Sequence, residues 1–238
     1  MNSLTLLTFV VCFTVVISAP TNNKIIQSSS NIQEGNKEVI SEPALNENSQ
    51  VYTCGGYLTN GGDSISETSN SQTASRKKRF SVMKQSWHHL DLTYRIGDYG
   101  RSVSRSDQDY AVKTALKAWT DYVKITFRKV DSNAESDFNF RFVTGYHGDN
   151  YRFTGSRNNV GHAFQPESGK VHIDDSINWR VRGPRSFKAN LVAVLAHEIG
   201  HALGLHHSTH YFAIMNPVVK DNFPVKLTQD DIDGIQTK

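Results

Sequence analysis

The sequence predicts an α+β domain over residues 80–238, preceded by a polar extension. Three observations carry that reading. Leu90, Leu92, Tyr94 and Ile96 alternate with polar neighbours, the period of a half-buried strand. Val112, Ala115, Leu116, Trp119 and Val123 recur at helical spacing behind Ser106, a residue suited to an N-cap. A second helix is expected from about Phe187 to Leu203, where Gly204 is placed to stop it. Strands and helices mix without strict βαβ alternation.

The remaining elements follow in order. Phe138, Phe140 and Phe142 alternate as a second strand, and a Gly/Asn-rich stretch with short strands runs from Gly145 to Trp179. Thr228 to Asp231 opens a short final helix with a capping box. Upstream, Leu4 to Ile17 is an apolar run too short to span a bilayer comfortably. Residues 1–18 therefore read as a secretory signal peptide cut after Ser18. Residues 19–79 hold ten serines and eight asparagines with no sustained apolar period, the pattern of a propeptide without its own core. They end in Arg76-Lys77-Lys78-Arg79, read as a subtilisin-like convertase site with cleavage after Arg79.

Charge and cysteine usage narrow the function. A net charge of +3 without a basic helical stripe argues against nucleic acid. Of the two cysteines, Cys12 falls within the signal peptide, which leaves Cys54 as a single thiol in a secreted chain. All ten histidines lie after residue 80.

Five of those histidines stand in "LAHEIGHALGLHHSTHYFAIMNP", Leu195 to Pro217. On a helix His197 and His201 share a face, a spacing that suits two imidazoles on one tetrahedral zinc, with Glu198 beside the open position. Gly204 lets the chain turn and return His207 as a third ligand. The extended H-E-x-x-H-x-x-G-x-x-H pattern with Met215 downstream is the metzincin signature. His206 and His210 match no ligand position and read as surface histidines.

With "LTYRI", "HGDNY", "HAFQP", "HEIGHALGLHHS", "AIMNP" and "QDDIDGIQ" in order, the chain resembles a matrix metalloproteinase, or matrixin. Ser208 after the third histidine is the matrixin variant, against an acidic residue in astacins and adamalysins. The resemblance implies a mixed, twisted five-stranded sheet with three helices and an active-site cleft. It also implies a zinc endopeptidase acting on extracellular matrix or other secreted proteins, and, as no hemopexin-like repeat or anchor signal is seen up to Lys238, a minimal, secreted and monomeric member is expected. Zinc-activated water would attack the scissile carbonyl, with Glu198 as general base. A binding module that had lost activity would be expected to lose Glu198 or a ligand, so the enzyme is favoured.

Further site residues come from the same resemblance. A structural zinc falls to His147, Asp149, His162 and His172. Calcium is weakly supported. Asp174 remains of one side-chain set, while Thr154, Ile177 and Lys170 stand where ligands are expected. Substrate contacts fall to Val160, Gly161, Ala193, Pro217 and Val219; the small Ala193 and Val219 predict a roomy pocket after the scissile bond. Cys54 would cap the catalytic zinc in a latent form, but "YTCGGYL" lacks the Arg, Asp and prolines of the family switch. A free or intermolecularly linked cysteine is the alternative.

Overall fold

In the computed structural model the described residues are 52–55, 57–58, 80–183, 186–220 and 224–238. The expected signal peptide, the expected cleavage point at Arg79 and most of the expected propeptide lie outside them. The strands are β1 (Tyr52–Thr53), β2 (Tyr57–Leu58), β3 (Asp91–Asp98), β4 (Thr126–Lys129) and β5 (Phe138–Val143). They continue as β6 (Gly161–Phe164), β7 (Lys170–Asp174), β8 (Trp179–Arg180), β9 (Ala189–Asn190) and β10 (Val218–Val219). The helices are α1 (Arg105–Thr120), α2 (Leu191–Ala202) and α3 (Gln229–Ile235). No helix among the described residues is long and apolar enough to cross a membrane.

The expected five strands form one mixed sheet in the order β6-β7-β5-β3-β4, and β2 adds a sixth at its edge. Within it β4, β3, β5 and β7 run parallel, while β6 is antiparallel to β7 and parallel to β2. Phe138, Phe140 and Phe142 of the central strand are buried, as the alternation predicts. Two short pairs stand apart: β8 with β9, and β1 with β10.

Two helix starts differ from expectation. Ser104, not Ser106, caps α1: its side chain accepts from the Asp107 amide. The second helix begins at Leu191 rather than near Phe187. Ala189–Asn190 is used as a strand against Trp179–Arg180, and the Asn190 side chain accepts from the Ala193 amide at 3.2 Å to start the helix. Gly204 ends it as expected, with φ +100°. The capping box of α3 is present, Thr228 with Asp231.

Helix α2 is buried along its whole length, between α1 and the β6–β7 side of the sheet. A fully buried helix must offer partners to its own backbone acceptors and to its neighbours' polar edges. Trp119 of α1 donates its indole N–H to Ala196 O at 2.9 Å, and Trp87 donates to Ala202 O at 2.9 Å. Gly200 permits the close approach: a Cβ there would stand 2.3 Å from Met215 Sδ and 2.8 Å from Trp119 Cζ2.

Gly200→Ala tests this packing. Overpacking costs about 1–3 kcal/mol and outweighs the roughly 1 kcal/mol of helix propensity gained. Denaturant unfolding should show a net loss of about 1 kcal/mol; unchanged or higher stability would contradict the contact.

Candidate metal centres and active-site cleft

Helix α2 delivers His197 and His201 on one face, and the turn at Gly204 returns His207 beside them. His197 Nε2 and His201 Nε2 stand 3.1 Å apart. His197 Nδ1 lies 2.6 Å from Ile214 O and His201 Nδ1 lies 2.7 Å from Leu205 O. A carbonyl only accepts, so each Nδ1 carries the proton and each Nε2 turns a lone pair inward. Burial pushes His197 down to about 3, with the neighbouring His207 adding to the fall. Burial likewise holds His201 well below the usual histidine range. Neutral rings aiming lone pairs at one buried point fit a cation, and three imidazoles suit zinc.

Cys54 completes the cluster. Its Sγ lies 2.9 Å from His197 Nε2, 3.0 Å from His207 Nε2 and 3.8 Å from His201 Nε2. These four residues can together hold a metal ion, and a thiolate with three imidazoles is a closed zinc donor set.

Two segments hold Cys54 there. On one side β1 pairs antiparallel with β10, and Pro217 O accepts the Cys54 amide at 3.4 Å. On the other, Gly161 O accepts the Gly55 amide at 3.0 Å and the Val160 amide donates to Thr53 O at 3.2 Å. Four of the five expected substrate contacts therefore line this strand: Val160, Gly161, Pro217 and Val219. Ala193 is 1% exposed on α2, in the same fold layer as the histidines.

Glu198 is fully buried, and neither carboxylate oxygen has a hydrogen-bond partner among the described residues. Burial alone pushes it well above the usual carboxylate range. A Cβ on Gly161 would sit 3.1 Å from its Oε1, so the carboxylate faces the start of β6. A buried carboxylate without a partner among the described residues is costly, and so are the inward lone pairs of His197 and His201, unless a cation and a polar reactant occupy the site.

A second cluster forms where β6 and β7 pair. His162 and His172 are directly opposed across the two strands, which places them on one face. Asp149 Oδ2 lies 3.0 Å from His147 Nε2, 3.1 Å from His162 Nε2 and 2.8 Å from His172 Nδ1. His147 Nδ1 is fixed 2.9 Å from Gly145 O. Burial drives His162 to about 4 and His172 to about 3, so both rings are neutral. Asp149 is lowered: burial pushes it up, but the Tyr151 amide and the facing His162 and His147 prevail. These four side chains can also hold one metal ion.

Residues 86–238 match the family described as Matrixin. The chain belongs to the matrixin family. It is 43% identical over 156 residues to interstitial collagenase from Bos taurus, covering 64% of this chain and 32% of that protein. Matrix metalloproteinase-20 from Homo sapiens is 43% identical over 155 residues, 63% of this chain and 31% of its own length. Stromelysin-2 from Rattus norvegicus is 38% identical over 157 residues, 63% and 32% respectively. This matrixin thus spans about a third of the length of the curated relatives it matches.

Asp174, the expected calcium candidate, is fully buried and spent on protein donors. Its Oδ1 accepts from the Ser176 amide at 2.9 Å and hydroxyl at 2.5 Å, and its Oδ2 from the Gly155 amide at 3.2 Å. Ile177 is buried among core residues.

Asp231 is a site residue that motif reading did not single out in this role. Its carboxylate accepts from the Ile214 amide at 2.9 Å and the Met215 amide at 3.0 Å, besides Thr228 N at 2.8 Å. The Ile214 carbonyl in turn orients His197. The final helix therefore positions a ring of the metal cluster through the turn at Met215. In the sequence it stands out through the capping box and the "QDDIDGIQ" stretch, neither of which encodes its contacts with Ile214 and Met215.

Asp231→Ala leaves two buried amides without an acceptor, each costing about 1–3 kcal/mol. Urea unfolding should show a loss of about 2–5 kcal/mol, with Asp231→Asn milder because one oxygen remains. A loss under 1 kcal/mol for the alanine variant would contradict this support.

Proposed function

We propose that this matrixin is a secreted zinc endopeptidase made as a latent precursor and released by cleavage after Arg79. The observation that carries the reading is the buried Glu198 carboxylate, without a hydrogen-bond partner among the described residues, on the helix that presents His197 and His201 with their Nε2 atoms 3.1 Å apart. His197, His201 and His207 would hold the catalytic zinc, which supplies Lewis acidity toward a carbonyl and acidifies water. His147, Asp149, His162 and His172 would hold a structural zinc and fasten the loop before β6 to the sheet. Calcium has weaker support, because Asp174 already accepts three protein hydrogen bonds.

Glu198 then moves the protons. Its carboxylate accepts one from the attacking water and returns it to the departing amine nitrogen. Burial keeps it dry, and the charge of a bound cation opposes the rise in pKa that burial causes. An extended peptide would lie in the cleft between β6 and β10, the place the prosegment strand now occupies. Ala193 and Val219 would leave room for a long apolar side chain after the scissile bond. Extracellular matrix proteins are the proposed substrates, in keeping with the names of the collagenase relatives.

The precursor would be silent because Cys54 fills the position a reacting water needs. A subtilisin-like convertase would cut the tetrabasic run and free Phe80. Phe80 already packs on Gly234 of α3, where an added Cβ would lie 3.4 Å from its own. The chain would act as a monomer.

Glu198→Gln keeps the shape and removes the base. In zinc-loaded, processed protein, hydrolysis of a peptide library should fall at least about a hundredfold. Near-normal turnover would refute the assigned role. The wild-type profile should favour Leu and Phe over Ala after the scissile bond, since each buried methylene adds about 0.8 kcal/mol. A preference for Ala would mean the pocket is closed.

Latency is checked on the uncleaved chain. Cys54→Ala should give a precursor that cleaves peptide without prior processing. A Cys54→Ala precursor as inactive as wild type would show that the prosegment blocks the cleft without its thiol.

A further inference from the structure

We propose that the slot holding Tyr52 is a substrate subsite for an aromatic side chain, with Arg157 as its specificity-determining residue. The proposal rests on the endopeptidase reading above and adds a side-chain preference to it.

Tyr52 is only 8% exposed, although it belongs to a segment built of polar residues. Its hydroxyl donates to Phe187 O at 3.2 Å, and the Arg157 guanidinium carbon lies 5.8 Å from its ring centroid. That distance is within the range of cation–π attraction. The Arg157 carbonyl accepts the Thr53 amide at 2.9 Å, so its main chain borders the same strand. Next to it the Thr53 hydroxyl donates to Asn158 O at 2.7 Å. The slot is not full. A cavity of about 230 Å³ continues beside Tyr52, lined by Arg157, Ser176, Ile177, Asn178 and Phe187. Phe187 stands at its rim, 66% exposed, a large apolar ring with no covering of its own.

The register places this slot relative to the chemistry. Tyr52 and Cys54 are both buried while Thr53 between them is half-buried, the alternation of an extended strand. Tyr52 therefore shares a face with the residue on the histidines and lies about 7 Å further along the cleft, beside Val219. Once the prosegment leaves, the main-chain groups of Val218, Val219 and Gly161 lose their partners. An extended peptide regains those hydrogen bonds by strand addition, which leaves the position of Cys54 to water and brings an alternate side chain into the slot that Tyr52 vacates. At that slot a ring is favoured by the guanidinium, and a phenol further by the Phe187 carbonyl.

The test has two arms. In the full-length protein cut at its own basic run, kcat/KM is measured for peptides in which one Tyr is moved stepwise through an alanine background. At one position, two residues from the one facing the histidines, Tyr should exceed Ala about tenfold, and Arg157→Ala should bring that ratio within twofold of unity. A ratio near unity at every position, or one that Arg157→Ala leaves unchanged, overturns the proposal while the peptidase reading stands. The second arm needs no turnover: the rate of Cys54 alkylation in the uncut chain. Tyr52→Ala should speed it at least tenfold and Tyr52→Phe much less. If no peptide is cleaved at all, the peptidase reading fails, and equal alkylation rates in the three proteins would separately show that the slot does not grip the ring.

Discussion

Everything in this fold is arranged around nitrogen lone pairs turned toward one another in a dry interior. Two imidazole nitrogens 3.1 Å apart, each with its proton committed to a carbonyl on the far side, repel unless a cation lies between them. The same constraint recurs where a single oxygen of Asp149 meets three histidine nitrogens. Burial opposes the easier solution, protonation: it drives His197 and His172 to about 3 and His162 to about 4, and holds His201 well below the usual histidine range. The histidine pattern is thus a demand for metal that the hydrophobic core enforces.

The rest of the architecture supports that demand. Helix α2 must be buried on all sides to keep its histidines neutral, which explains the run of Leu, Val and Ala around them. The rings must also be aimed, and this falls to main-chain carbonyls in segments that come later in the chain. Asp231 holds the Ile214 and Met215 amides, and Ile214 O holds His197. At the other end, Ser81 O accepts the His206 amide and Gly204 O accepts the Met83 amide. Residues just after the proposed cleavage site therefore brace the turn that presents His207. Among the described residues before Phe80, backbone pairing joins residues 52–55 to the cleft, and the side chains of Tyr52 and Cys54 are buried there.

Much of this was legible in the residues, for a physical reason. Histidines at positions four apart, then Gly204, then His207, fix their own geometry, since helix periodicity and one glycine turn suffice. The second metal set was legible only through the family resemblance, because His147, Asp149, His162 and His172 meet through sheet pairing that spacing does not encode. The start of α2 was misplaced because Phe187 to Ala189 fits a helical pattern, whereas pairing of Ala189–Asn190 with β8 and the Asn190 cap decide otherwise. The role of Tyr52 was hidden for a similar reason. A two-residue strand has no period to read, and its partner Val219 lies far along the chain.

In the proposed precursor a thiolate and three imidazoles share one zinc. X-ray absorption at the zinc edge of the purified, uncleaved chain tests it most directly. Nitrogen scattering at about 2.0–2.1 Å is expected together with a sulfur shell at about 2.3 Å that disappears in Cys54→Ala. A zinc-loaded precursor without that sulfur shell, or one that keeps it after Cys54→Ala, would contradict it.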